Sequence, residues 1–415
     1  MSDAPLVIVG ASYAGMQLAV SARQASYPGP IMLVGAERHL PYQRPPLSKA
    51  FLGEDFVLTS LPLKSEAFYA ANDIELLLDT RVSRIDRDRS EIETADGRRL
   101  SYNRLALTVG ARSRRLSVPG ADLDGVLYLR SLNDAVSFKQ RLADVGSVVI
   151  VGGGFIGLEV AASLAARGIA VTIIEAQERI LARVATPLLS DFVCEHHRRA
   201  GVRIFLSTTI VQLHGTDGRV RAVECGGGVV YPANLVLVGI GSVARTELAE
   251  QAGLPCSNGI VVDQFSRTAD SRVYAAGDCS WYFSSALGRH VRLESVQNAL
   301  EQAKIAGANA AGGDARYDAV PWFWSDQYDL KLQMVGSAHG HDRSVVRGSI
   351  TEGRFSIFHF KDNALIGVDS VNRPAEHLLS RKLLSRRSQL QPEQAADEDF
   401  DLGQLVRGVG GSGES

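Results

Sequence analysis

A β-branched run that breaks into glycine and then into small, helix-forming residues is the outline of a phosphate cradle, and this chain carries two. The first reads Val7-Ile8-Val9-Gly10-Ala11-Ser12-Tyr13-Ala14-Gly15, the second Val148-Val149-Ile150-Val151-Gly152-Gly153-Gly154-Phe155-Ile156-Gly157. In such a turn the first glycine permits the tight strand-to-helix reversal. The second lets the backbone approach a pyrophosphate, and the third lets helix and strand pack closely. Phosphates then meet backbone N–H groups and the positive end of the helix dipole. An acid closing the next strand, about 20 residues on, accepts from ribose hydroxyls; Glu37 and Glu175 stand at that distance. The expected contact sets are Gly10, Ser12, Ala14 and Gly15 in the first turn, with Ser12 in place of the middle glycine. In the second they are Gly152, Gly154, Ile156 and Gly157. Either turn alone is a common βα connection. Both together, each with its acid, describe a chain that holds two dinucleotides, most often a flavin and a nicotinamide.

These turns need α/β units to position them, and the chain is long enough for several. At 415 residues it exceeds what one core supports. The first βαβ unit runs from residue 5 to about Glu37, and the second occupies 146–175 inside what reads as an insertion. That insertion closes at Leu235-Val236-Leu237-Val238-Gly239-Ile240-Gly241, after which Val273-Tyr274-Ala275-Ala276 and the Gly277-Asp278 turn return to the first unit. The expected organisation is a discontinuous first domain (1–112 and 243–320), an inserted second (113–242), a strand-rich C-terminal domain (321–390), and a partly disordered tail (391–415). Net charge is −2 with 22% charged residues, which points to no nucleic acid. No apolar run approaches the ~20 residues of a membrane helix, and the start leads directly into the first strand, so a cytoplasmic location is expected. Cys194, Cys225, Cys256 and Cys279 form no C-x-x-C pair, so neither a disulfide framework nor a metal site is expected.

Further segments carry a specific likeness: Pro41-Tyr42-Gln43-Arg44-Pro45-Pro46-Leu47-Ser48-Lys49, Ala275-Ala276-Gly277-Asp278-Cys279, Glu294-Ser295-Val296-Gln297-Asn298-Ala299 and Pro321-Trp322-Phe323-Trp324-Ser325-Asp326-Gln327. With them the chain, over about residues 5 to 390, resembles the FAD-dependent NADH:ferredoxin reductases of bacterial cytochrome P450 and aromatic-oxygenase systems. These are the putidaredoxin-reductase-like flavoproteins, of glutathione-reductase-type fold. The resemblance implies FAD on the first Rossmann-like domain, NADH on the second, and an α+β C-terminal domain. It implies that Asp278, after Gly277, holds the flavin ribityl chain, and that Arg44, Val82, Arg130, Val296 and Gly241 lie at cofactor-contacting positions. Lys49 matches a lysine at the reactive edge of the flavin, Glu159 an acid that meets that lysine near the nicotinamide, and Trp324 an aromatic near the isoalloxazine; Trp322 reads as core. After Gly241 the family's Pro-Asn pair is absent, and Ala244-Arg245 stands there.

The same resemblance implies electron transfer to an acidic [2Fe–2S] ferredoxin that supplies a P450 or Rieske-type oxygenase. Disulfide reductases of this fold need cysteines beside the flavin, and Pro45 to Lys49 contains none. Rubredoxin reduction, or redox sensing of the apoptosis-inducing-factor kind, stands as the alternative. The densest cationic stretch, Arg381-Lys382-Leu383-Leu384-Ser385-Arg386-Arg387, is the candidate docking surface or else an ordinary solvated helix face, with Arg112, Arg114 and Arg115 as a rival patch.

Overall fold

The computed structural model describes residues 5–407, which form two compact units. Unit 1 comprises 5–43, 58–112 and 243–321; unit 2 comprises 44–57, 113–242 and 322–407. The sequence reading placed 44–57 within the first domain and 321–390 apart as a third. In the structure 44–57 and 322–407 group with unit 2, while residue 321 closes unit 1.

Unit 1 is built on a parallel sheet in the order Val273–Ala275, Arg104–Leu107, Leu6–Val9, Ile31–Val34, Ile74–Leu77. Its central strands are continuous apolar runs because both faces are covered. Leu6, Ile8, Ile31 and Leu33 feed one buried cluster, and Val7, Val9, Leu105 and Leu107 feed another. The first cluster is completed by the helices Tyr13–Gln24 and Val296–Ala310. These pack closely at Gly307, where a Cβ would stand 2.4 Å from the Leu18 carbonyl oxygen.

Unit 2 repeats the plan with strands Arg203–Phe205, Ala170–Ile174, Ser147–Val151, Leu235–Val238 and Val126–Tyr128, all parallel. It also holds an antiparallel sheet in the order Trp322–Gln327, Leu330–Gly336, Ala364–Val371, Arg354–Lys361, Arg343–Ser349. The helix Pro374–Ser385 covers this sheet.

Residues beyond 390 do not begin a tail. Short helices Pro392–Ala396 and Leu402–Arg407 continue the chain, with Leu390, Ala395 and Leu402 buried. Arg347, itself buried, donates through Nη2 to the carbonyls of Glu398 and Phe400, both at 3.0 Å, and satisfies that segment's backbone. The expected disordered end, Gly408 to Ser415, lies outside the described residues. Among the described residues no helix is long and apolar enough to cross a membrane.

Two buried histidines of unit 2 set an acid limit. Burial lowers His197 and His377 from 6.5 to about 4. Neither ring nitrogen of His377 has a hydrogen-bond partner among the described residues. Because the folded pKa lies below the unfolded one, the unfolded chain takes up these protons first. Stability is therefore full above about pH 6.5 and falls as the pH drops toward 4, by roughly 3 kcal/mol per ring. Urea midpoints measured between about pH 7 and about pH 4.5 should fall steeply for the wild type and less steeply for His377→Leu. Equal slopes would remove His377 from the account.

Candidate functional site

In unit 1 the first glycine turn is fixed by sterics. Gly10 has φ +119°, and a Cβ there would lie 2.2 Å from the Thr108 carbonyl oxygen. A Cβ on Gly15 would stand 1.9 Å from the Gly10 carbonyl oxygen. Ser12, at the N-cap of the helix Tyr13–Gln24, makes no side-chain cap. Ala14 reaches the Asp278 turn: the Cβ position of Gly277, at φ +81°, is 3.2 Å from Ala14 Cβ. That turn is held by Gln302, whose Oε1 accepts from the Gly277 N–H at 2.8 Å and the Ser280 hydroxyl at 2.7 Å. The fold thus joins Asp278 to the glycine turn across more than 260 residues of sequence. Glu37 accepts from the Tyr42 hydroxyl at 2.7 Å, so the Pro41-Tyr42 segment orients the first acid. Val296 opens a helix capped by Ser295. Val82 is buried in the cluster that contains Val9 and Val34.

Unit 2 holds the second turn. Gly152 has φ +105° with its Cβ position 2.4 Å from the Gly239 carbonyl oxygen, and Gly157 lies equally close, 2.4 Å, to that of Gly152. Gly154 differs: nothing lies within 4 Å of its Cβ position, and as N-cap of the helix Phe155–Ala165 it supplies no side-chain cap. A cradle that a methyl group would enter, ahead of a helix N-terminus, fits the pyrophosphate of a dinucleotide. Ile156 is 46% exposed at the same end. Glu175 is bound to the turn it serves. One carboxylate oxygen accepts from the Gly153 N–H at 2.6 Å, the other from the Gln177 N–H at 2.8 Å. Each oxygen keeps a second lone pair for a ribose hydroxyl. Gly241, at φ +99°, has the Arg183 guanidinium 3.2 Å from its Cβ position.

Lys49 and Glu159 meet within unit 2, Nζ to Oε1 at 2.8 Å, with the acid buried. Sequence reasoning missed the two hydroxyls that complete this site. Ser48 donates to Glu159 Oε2 at 2.5 Å and Ser325 donates to Oε1 at 2.7 Å. Their signal was present, since both lie inside the segments that carried the family likeness. Trp324 does not join this cluster. Strand pleating puts Ser325 and Gln327 on one face, both buried, and Trp322 and Trp324 on the other. Phe323, on the Ser325 face, instead packs on Phe155 of the glycine turn, centroids 4.7 Å apart. Trp322 is not core: it is partly exposed beneath the Arg381 guanidinium, 4.3 Å from the ring centroid. Arg44 donates to the Arg130 carbonyl at 2.6 Å, which brings those two positions together.

The cationic stretches are partly committed to the fold. Arg381 covers Trp322, and Arg386, itself exposed, donates to the Val406 carbonyl; Lys382 and Arg387 are exposed at the same helix end. Of the rival patch, Arg112 pairs with Glu247 at 3.2 Å and Arg115 lies over Tyr128 at 4.1 Å. All four cysteines are unpaired. Burial raises every thiol, Cys256 to about 11 and Cys279 to about 12. Among the described residues no group of His, Cys, Asp and Glu could hold a metal ion.

Family comparison agrees along nearly the whole length. Residues 4–303 match the pyridine nucleotide-disulphide oxidoreductase family and residues 322–406 the reductase C-terminal family. The chain is 46% identical over 397 residues to rhodocoxin reductase of Rhodococcus erythropolis, covering 96% of this chain and 93% of that one. A solved ferredoxin reductase from Rhodopseudomonas palustris superposes with TM-score 0.95 at 44% identity, covering 97% of this chain and 99% of that one. The reductase chain of a covalent putidaredoxin reductase–putidaredoxin complex superposes with TM-score 0.95 at 39% identity, covering 99% and 100%.

The two kinds of glycine separate binding from folding. Gly154→Ala points a methyl into open space, so stability should stay near wild type while NADH affinity falls about tenfold or more. Gly157→Ala drives a methyl onto backbone and should lower stability by roughly 1–3 kcal/mol. Thermal melts and NADH titrations check both. Unchanged NADH affinity in Gly154→Ala would show that no phosphate approaches that backbone.

Proposed function

The chain belongs to the pyridine nucleotide-disulphide oxidoreductase family, and we propose that it is an FAD-containing NADH:ferredoxin reductase. Its acceptor is an acidic [2Fe–2S] ferredoxin, which supplies a cytochrome P450 or Rieske-type oxygenase in the cytoplasm. One observation carries the choice of acceptor: two formed dinucleotide cradles stand in a chain whose four thiols are all unpaired and raised by burial. A disulfide relay needs a reactive thiol pair, and this protein offers none. A bound flavin accepts two electrons as hydride and releases them singly, which suits an iron–sulfur acceptor.

The protein supplies binding, orientation and charge. The turn at Gly10 to Gly15, with Glu37 and Asp278, would hold FAD; the turn at Gly152 to Gly157 would hold NADH. Glu175 would accept from the adenosine ribose and repel a 2′-phosphate, which favours NADH over NADPH. Lys49, anchored by Glu159, would hold a fixed cation at the reactive edge, with Arg44 and Arg130 nearby in the same unit. Trp324, on the strand face opposite Ser325, would be the aromatic near the ring that the family likeness implies.

Lys49→Met should slow NADH-driven bleaching of the flavin absorbance by about tenfold or more, and change NADH affinity less. It should also shift the flavin potential, because a fixed charge is lost from a poorly hydrated site. Stopped-flow reduction at the wild-type rate would make Lys49 a structural lysine.

Turnover tests the acceptor. NADH-dependent reduction of a [2Fe–2S] ferredoxin should be rapid and should outpace reduction of a rubredoxin. A long-lived reduced complex that does not turn over would support the sensor instead. Lys382→Glu with Arg387→Glu should raise the ferredoxin KM and flatten its salt dependence, since exposed charges act within a screening length. Dye reduction should be unaffected. An unmoved salt slope would place docking elsewhere.

A further inference from the structure

Behind the Lys49–Glu159 pair lies a line of buried polar groups in which each hydrogen bond has a defined direction. The Ser325 hydroxyl donates to Glu159 Oε1 at 2.7 Å, and Gln327 Nε2 donates to Ser325 Oγ at 3.0 Å. Gln327 Oε1 is 2.8 Å from His197 Nε2, and the Tyr328 hydroxyl is 3.3 Å from His197 Nδ1. An amide oxygen can only accept, so His197 Nε2 carries the proton and Nδ1 keeps the lone pair that receives Tyr328. Ser325, Gln327 and His197 are all buried. A serine hydroxyl by itself rotates freely between donating and accepting. Here the carboxylate of Glu159 can only accept, so the serine proton goes to it, while the Gln327 N–H fills one of the two oxygen lone pairs and anchors the hydroxyl in place; His197 holds the amide so that its N–H faces the serine.

We propose that His197 and Gln327 are positioning residues for the Lys49–Glu159 pair, acting through Ser325. The consequence rests on the reading of that pair given above, but the relay itself does not. Glu159, cut off from water, draws its donors from three fixed sources: the Lys49 ammonium and the hydroxyls of Ser48 and Ser325. If Ser325 stops donating, the carboxylate re-centres on Lys49 and Ser48 and draws the ammonium with it. The neutral ring of His197, at the far end, thereby fixes where the cation stands.

Ser325→Ala and Gln327→Met remove successive links, and Ser325→Thr restores the hydroxyl. Flavin reduction by NADH should slow on the order of tenfold in the first two, with NADH affinity within about twofold, and should recover in Ser325→Thr. In a Lys49→Met background the two substitutions should have little further effect. Carboxyl-carbon NMR should show the Glu159 resonance displaced in Gln327→Met, although Gln327 does not touch Glu159. Nitrogen-edited NMR should show His197 with its proton on Nε2. A proton on Nδ1, or a Glu159 resonance unmoved in Gln327→Met, overturns the relay whatever the kinetics. Equal slowing in the Lys49→Met background overturns action through the pair. A Lys49→Met enzyme of wild-type rate overturns the functional reading of the pair, while the NMR measurements still decide the relay.

Discussion

The buried carboxylate of Glu159 is the constraint around which unit 2 is arranged. An ionised side chain removed from water is tolerated only when paired and hydrogen-bonded, and removing one partner of such a pair costs about 3–5 kcal/mol. The carboxylate and its partners come from three separate stretches of chain. Ser48 and Lys49 follow a Pro-rich segment, Glu159 lies on the helix of the second glycine turn, and Ser325 lies on the first strand of the antiparallel sheet. Satisfying one anion ties all three together.

The two glycine turns reach the same geometry from different sequences because the same collisions define them. In each, the first glycine has positive φ against a neighbouring strand's carbonyl, and the last glycine lies against the first one's carbonyl. Several helix starts elsewhere are capped by a serine side chain, although those after Thr186, Thr246 and Arg373 are not. Ser65, Ser131 and Ser295 each accept from the first turn of the helix they begin. The helices after the glycine turns have no such side-chain cap. A helix N-terminus left without its own cap keeps its N–H groups and dipole available to a phosphate.

The acids of the two turns also share a feature. Glu37 is held by Tyr42 and Glu175 by the Gly153 and Gln177 N–H groups. Each is oriented by protein donors, so a group that approaches it meets a carboxylate already in place. Preorganisation of this kind reduces the ordering that binding would otherwise require.

What the sequence determined by itself is everything governed by contacts close along the chain. The strand-to-helix turns, the acids that follow them and the apolar parallel strands are all written in short segments, because glycine sterics and hydrophobic period act over a few residues. The Lys49–Glu159 contact came from the family likeness rather than from spacing. The tertiary structure alone decided the rest. Ser48 meets Glu159 across 111 residues, Ser325 meets it across 166, and His197 meets Gln327 across 130. No local pattern marks such partners. Trp324 and Ser325 are adjacent in sequence yet face opposite ways, since pleat sets the side and packing chooses which side is buried. The cations at 381–387 read as one docking patch, but Arg381 is drawn to an indole and Arg386 to a helix end. Residues beyond 390 read as polar tail, while a buried arginine waited for their carbonyls. In each case a charge or polar group needed a partner, and only the folded chain brought that partner near.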